Sequence, residues 1–217
     1  MVYRVLLAAL LVLILPSLAS GQRLSARNGH WEVAVHTRYT GEHSDSGEGG
    51  SSIEIADDLG WGFGFTYNIN RRFSLGGSFA WRSANYTARI IEDVTPANTI
   101  IYSSRMDTSN MSLVGNFNLL EGGLTPYASA SGGWMLLDTN IYAGTSGGCW
   151  WDPWWGYVCS NFPTTYGISA FTGTVGVGVR WEPAESFLIR GGYEFGYSSE
   201  DVLQTANIVR LEIGLLL

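Results

Sequence analysis

Lysine is absent from the 217 residues, and all twelve basic side chains are arginine. This excludes a Walker-A phosphate loop, a Schiff-base lysine and a Ser-Lys catalytic pair. Cysteine is limited to Cys149 and Cys159, and histidine to His30, His36 and His43. The histidines lie far from the cysteines along the chain, so a zinc site is not expected. Positive charge is scarce: 12 basic against 19 acidic residues give a net charge of −7. That balance argues against nucleic acid as a partner. Beyond the N-terminus no apolar run approaches the roughly 20 residues that a membrane-spanning helix needs.

The N-terminus reads "MVYRVLLAALLVLILPSLASGQ". Arg4 is a short positive region, Val5–Leu15 is unbroken apolar chain, and Pro16 and small residues follow. This is the pattern of a secretory signal peptide over residues 1–21, cleaved after Ala19 or Gly21. A single domain over residues 22–217 remains. Loss of Arg4 takes the net charge from −7 to −8. In an exported chain two cysteines read as one disulfide, Cys149–Cys159. Closing so short a loop is worth on the order of 2–3 kcal/mol in the chain-entropy model.

The dominant signal is alternation by two. In "LGWGFGFTYN", Leu59, Trp61, Phe63, Phe65 and Tyr67 share one face, and glycine, threonine and asparagine share the other. In "TGTVGVGVRWE", Val175, Val177, Val179 and Trp181 oppose Thr174, Gly176, Gly178, Arg180 and Glu182. Eight such strands are expected, at about 31–41, 58–68, 73–84, 108–119, 126–137, 169–182, 187–198 and 206–217. Connections around residues 68–72, 121–123 and 183–185 are tight. The others are longer, and "GEHSDSGEGGSS" is typical of them. Short and long connections in alternation predict an all-β fold: an eight-stranded antiparallel up-and-down transmembrane barrel.

Two arguments put the apolar face outside. An eight-stranded lumen has room only for ordinary side chains, and the apolar face carries too many rings to fit. The strand charges Glu32, Arg38, Arg82, Arg180, Glu182, Arg190, Glu194, Arg210 and Glu212 all fall on the glycine and serine face. An arginine facing lipid at mid-bilayer costs about 2–4 kcal/mol. Two aromatic girdles follow. Trp31, Tyr67, Phe73, Trp181 and Phe187 lie beside the N-terminus or the short turns, and Tyr39, Trp61, Trp81, Trp134 and Tyr197 lie near the long loops.

With "TPYASASGGW", "GTVGVGVRW", "FLIRGGYEFGY" and the closing "VRLEIGLLL", the chain resembles the small eight-stranded outer-membrane barrels, the group of the OmpA transmembrane domain and the opacity-like surface proteins. The resemblance implies a bacterial outer-membrane location, a monomer, contact with outer-membrane lipid and lipopolysaccharide, and insertion by the barrel-assembly machinery. Such barrels usually end in an aromatic residue. This chain ends Leu215-Leu216-Leu217, a departure that bears on recognition by that machinery.

The interior charges read first as a paired polar core, since buried charges must be matched. The alternative is the selectivity lining of a narrow channel. Catalysis has a thin basis: His43 is followed by Ser44 and Asp45, His36 points into the lumen, and no nucleophile elbow occurs. No catalytic residue and no cofactor is assigned. The first long loop holds Glu42, Asp45, Glu48, Glu54, Asp57 and Asp58, without the spacing of a calcium loop; other loops add Glu92, Asp93, Asp152, Glu200 and Asp201. A solvated acidic rim is the reading, and no metal site is assigned.

"CWWDPWWGYVC" is the apolar extreme of the sequence. The barrel places it in an extracellular loop. Three readings of Trp150, Trp151, Trp154, Trp155 and Tyr157 stand open: a self-packed lid, a grip on lipopolysaccharide or the membrane interface, and a recognition patch for a surface ligand. The functional expectation is a non-enzymatic outer-membrane surface protein acting in envelope integrity or surface contact. A narrow porin-like channel is the alternative and a lipid-modifying enzyme the third class.

Overall fold

The computed structural model describes residues 24–46, 50–92, 98–152, 156–199 and 205–217; at 90, 92, 98, 145–152 and 156–163 it describes the backbone alone. Among the described residues ten strands occur: β1 (Trp31–Thr40), β2 (His43–Ser46), β3 (Ser52–Ile55), β4 (Asp58–Asn68), β5 (Phe73–Glu92), β6 (Asn98–Asn118), β7 (Leu124–Asp152), β8 (Gly156–Ala184), β9 (Phe187–Ser198) and β10 (Thr205–Leu216). Eight of them close a ring. β1 pairs with both β4 and β10, neighbours follow in order round to β7–β6, and β5–β6 completes the circuit. All pairings between them are antiparallel. β2 and β3 are an extra hairpin, docked on the edge of β5 through Ile55↔Tyr86 and Ser52↔Arg89.

The fold is inside-out relative to a water-soluble domain. Trp61 is 62% exposed and Val177 64%, while Arg180 is 0% and Glu32 1% exposed. Apolar rings on the outside and buried arginines inside are stable only if the outer face meets hydrocarbon. Leu59 to Tyr67 on β4 alternates cleanly across this wall, a length close to the 9–11 residues a tilted strand needs to span. The wall is also laced by cross-strand ring pairs. Trp31 and Tyr67 face each other at 5.1 Å near the inner end, Trp61 and Trp81 at 5.1 Å near the outer end, and Trp134 meets Phe171 at 5.9 Å.

The glycine face makes room for the lumen side chains. A Cβ on Gly62 would sit 2.6 Å from His36 Nε2, and one on Gly176 would sit 2.8 Å from Glu194 Cγ. Small residues on one strand thus accommodate long charged ones on the next.

Four strands run past the ends expected from periodicity. β5 continues to Glu92, β6 starts at Asn98, and β7 and β8 reach 29 residues each. Much of what reads as long loop is therefore hairpin. The reason is a change of polarity without a change of period. Past Trp81 the outward positions of β5 become Ser83, Asn85 and Thr87, while Ala84, Tyr86 and Ala88 turn inward. There they build an apolar cluster with Ile55, Met106, Met135, Leu137 and Ala170. Above the outer ring of aromatics the barrel becomes an ordinary half-buried sheet, its greasy face inward.

Candidate functional site

The lumen divides into an inner half filled by buried charged side chains and an outer half that holds a cavity. At the inner end the segment before β1 crosses the mouth as a strap. Leu24 bridges to Gly122, Ser25 N–H donates to Glu121 O at 3.0 Å, and Gly29 N–H donates to Asn68 O at 2.9 Å. Arg27 is fully buried. Its guanidinium donates to Arg71 O at 2.6 Å, Leu120 O at 2.8 Å and Glu182 Oε1 at 2.9 Å. Ser25 Oγ donates to the other oxygen of Glu182. The strap thereby joins two periplasmic turns to β8.

A ladder of ion pairs continues inward from there. Arg180 pairs with Glu182 at 2.7 Å and with Glu32 at 2.5 Å. Glu32 also takes Arg190, and Asn68 Nδ2 donates to it at 2.8 Å. Arg190 reaches Glu212 at 3.2 Å, and Glu212 takes Arg210 at 2.7 Å. Arg210 and Arg38 meet Glu194 at 3.4 and 3.3 Å. His36 Nδ1 lies 3.3 Å from Arg210 Nη2. Five strands feed this ladder, because residues two apart on a strand share a face and β10 and β1 are neighbours in the closed ring. Arg82 stands apart from it, bound to Asp58 at 3.2 Å.

Comparison with known proteins gives this arrangement its relatives. A family model described as "Outer membrane protein beta-barrel domain" matches residues 5–211. The chain belongs to this family. It is a protein of the bacterial outer membrane. Among solved structures the chain resembles Ail, the attachment invasion locus protein of Yersinia pestis, in complex with the heparin analogue sucrose octasulfate: 14% identity, 88% of this chain and 99% of that one, TM-score 0.51. It also resembles the outer membrane protein OprG from Pseudomonas aeruginosa: 8% identity, 88% and 95% coverage, TM-score 0.50. Identities this low show a shared fold. No curated protein matches the chain.

In this outer-membrane barrel the upper half of the lumen is a cup. A cavity of about 110 Å³ is lined by Arg38, Arg82, Thr108, Asn110, Ile55 and Met135, among others, with Gly41, His43 and Thr205 at its rim. Asn110 Nδ2 donates to Thr172 Oγ1 at 2.8 Å, and Ser131 and Thr174 hydroxyls share a bond of 2.8 Å. The ladder is its floor.

The girdle residues lie on the outer wall. Trp31, Tyr39, Trp61, Tyr67, Phe73, Trp134, Trp181 and Tyr197 are exposed, and Trp81 and Phe187 are partly so. Tyr39 OH donates to Asp57 at 2.7 Å. His43, Ser44 and Asp45 form no triad: consecutive strand positions put Ser44 on the opposite face from His43 and Asp45. Among the described residues no cluster of His, Cys, Asp or Glu could hold a metal ion. Glu48, Asp93, Glu200 and Asp201 lie outside the described residues, as do Trp154 and Trp155. The side chains of Trp150, Trp151, Tyr157 and both cysteines also lie outside them. The backbone places Cys149 directly opposite Cys159 on β7 and β8, with Trp150↔Val158 and Trp151↔Tyr157 next to them.

Sequence reasoning missed Arg27 and Ser25, and it placed Asn68 on the glycine face without assigning it a role. The first two precede the first strand, where periodicity gives no orientation. Asn68 ends β4 in a turn-forming stretch and reads as punctuation.

Proposed function

We propose that this is a non-enzymatic surface-contact protein, with the β7–β8 hairpin as its reaching arm and the barrel as its anchor. One observation supports the reading: buried ion pairs fill the inner lumen, while the longest strands among the described residues, β7 and β8, run well past the outer aromatic ring. Past the Trp134–Phe171 pair, β7 and β8 stay paired to Asp152↔Gly156, with register shifts between Asp138 and Tyr142 and between Tyr142 and Gly144. At about 3.3 Å per residue the β8 side alone is roughly 50 Å of strand. The hairpin carries the tryptophan-rich sequence "CWWDPWWGYVC", a composition that suits an apolar interaction site. A cross-strand disulfide Cys149–Cys159 fits directly opposed positions, whose Cα separation in a ladder suits the bond. Fixing the tip in this way lowers the ordering cost of contact.

The partner is apolar rather than polyanionic. Ail is solved with a heparin analogue, but the outer elements of this chain carry Glu42, Asp45, Glu54, Asp57, Asp107 and Asp138 against Arg89 and Arg105. The test compares bacteria expressing the intact chain with bacteria in which residues 146–162 are replaced by a two-residue turn. Adhesion to an apolar surface and cell–cell aggregation are scored at equal surface amounts. Loss of both in the shortened form supports the reading. Equal adhesion of the two strains, or steady charge-selective conductance by the intact barrel, overturns it. Thiol alkylation that succeeds only after reduction checks the disulfide.

A further inference from the structure

The charge count inside the barrel does not close. Among the described residues the inward ion pairs involve six arginines, Arg27, Arg38, Arg82, Arg180, Arg190 and Arg210, and five acids, Glu32, Asp58, Glu182, Glu194 and Glu212. Buried charges are ordinarily matched, so the position of the surplus matters. Arg82 with Asp58 apart, the pairs run as one alternating chain, Arg27, Glu182, Arg180, Glu32, Arg190, Glu212, Arg210, Glu194 and Arg38, with an arginine at each end. At the inner end Arg27 also donates to the carbonyls of Arg71, Leu120 and Gly122, whereas at the outer end Arg38 has Glu194, which it shares with Arg210. Arg38 stands within electrostatic reach of both Arg210 and Arg82. The end of the chain of pairs that is short of acceptors is therefore the one that faces the cup, where Arg38 and Arg82 are lining residues.

A second, independent feature points into the same space. Thr108 is 6% exposed and lines the cavity. Its Oγ1 is buried and has no hydrogen-bond partner. A buried hydroxyl left without a partner is costly unless something outside the protein completes it. The rest of the wall is of the opposite character: Ile55, Ala80, Met135 and Ile208 are buried apolar residues on the cavity surface.

We propose that the outer cup binds a small monocarboxylate with a short apolar tail. The carboxylate supplies the missing negative charge, accepting from the free N–H groups of Arg38 and Arg82 in the planar geometry guanidinium favours. Thr108 donates its hydroxyl to the same group, and the tail packs on Ile55 and Met135. The volume sets the size: an apolar cavity of about 150 Å³ takes benzene, so about 110 Å³ suits an acid of some three to five carbons. The ligand enters from outside, and the ladder keeps it from passing through.

Methionine methyl NMR of the full chain refolded in lipid nanodiscs tests this with butyrate as probe. Met135 lines the cup, whereas Met111 faces lipid at 60% exposure and serves as the internal control. Butyrate is expected to shift the Met135 methyl saturably and leave Met111 in place, and uncharged butyramide is expected to do neither. Arg82→Gln should weaken binding roughly tenfold or more, the loss of one charge-assisted contact. Should Arg82→Gln fail to fold, Thr108→Val keeps the shape of the wall and should weaken binding several-fold. A Met135 methyl unmoved by butyrate, or moved equally by butyramide, overturns the proposal. Chloride reproducing the effect at the same affinity overturns the carboxylate assignment.

Discussion

At the scale of single residues, Glu32 does the most to hold the interior together. It lies at 1% exposure and takes Arg180, Arg190 and Asn68 at once. Glu32→Gln would leave two buried guanidiniums short of a partner, and breaking a buried pair from one side costs about 3–5 kcal/mol. Glu121 is the contrast. Its pair with Arg72 at 3.1 Å has both side chains widely exposed, and such pairs contribute about 1 kcal/mol or less. Urea unfolding in lipid vesicles, followed by tryptophan fluorescence, should show a large drop in midpoint for Glu32→Gln and almost none for Glu121→Gln. Equal effects would mean that the ladder does not stabilise the barrel. The inward orientation of the strand charges was legible in the sequence because a two-residue period orients every strand position, but that Arg82 would stand apart with Asp58 and Asn68 would join Glu32 was not. Its pairings were not, because they depend on which strand ends meet across the lumen.

At the scale of elements, the strands past the outer aromatic ring were the least legible. The period survives there, but the sign of the pattern reverses once water replaces lipid outside, and Ala84, Tyr86 and Ala88 then look like an irregular loop. The β7 bulge belongs to this region. Register slips between Asp138 and Tyr142, and Asn140 takes a left-handed φ of 56°, a conformation asparagine tolerates better than most residues. The bulge turns its side chain toward β6, where Asn140 Nδ2 donates to Arg105 O and Asp107 Oδ2, each at 2.9 Å. Ser83 Oγ donates to the same carboxylate. These hydrogen bonds, that from Ser83 first, hold the Asp107 acid below the usual aspartate range. Its folded pKa is therefore depressed. The stabilisation is complete above the unfolded value and is lost as pH falls through the lower folded one. Acidification below the ordinary aspartate range should loosen the link between β6 and the long hairpin and leave the membrane-embedded barrel intact. Amide hydrogen exchange at residues 138–142 should speed up there in the native protein, and Asp107→Asn should remove much of that pH dependence. An unchanged exchange rate across the range would mean that Asp107 does not tie the hairpin down.

At the scale of the whole molecule, the two ends of the lumen are built for different tasks. The outer end is a cup under tall hairpins. The inner end is closed twice, by the Leu24–His30 strap and by the ladder behind it. Closure in layers predicts how the barrel responds to damage. Arg27→Ala removes the centre of the strap but leaves Glu32, Arg180, Arg190 and Glu212 paired across the lumen, so the refolded barrel should stay silent in a planar bilayer. Glu32→Ala with Arg180→Ala removes one rung while keeping charge balanced, and the strap still covers the mouth, so brief flickering is expected. Combining all three changes opens both layers at once and should give sustained conductance, far more than the separate variants add up to. Such non-additivity is the signature of barriers in series, since either one suffices to stop ions. Sustained openings in Arg27→Ala alone would mean that the ladder is permeable and the strap is the sole gate. Openings in the unaltered protein would make the inner half a pore, and the arginines and glutamates that seal it would then be its selectivity filter.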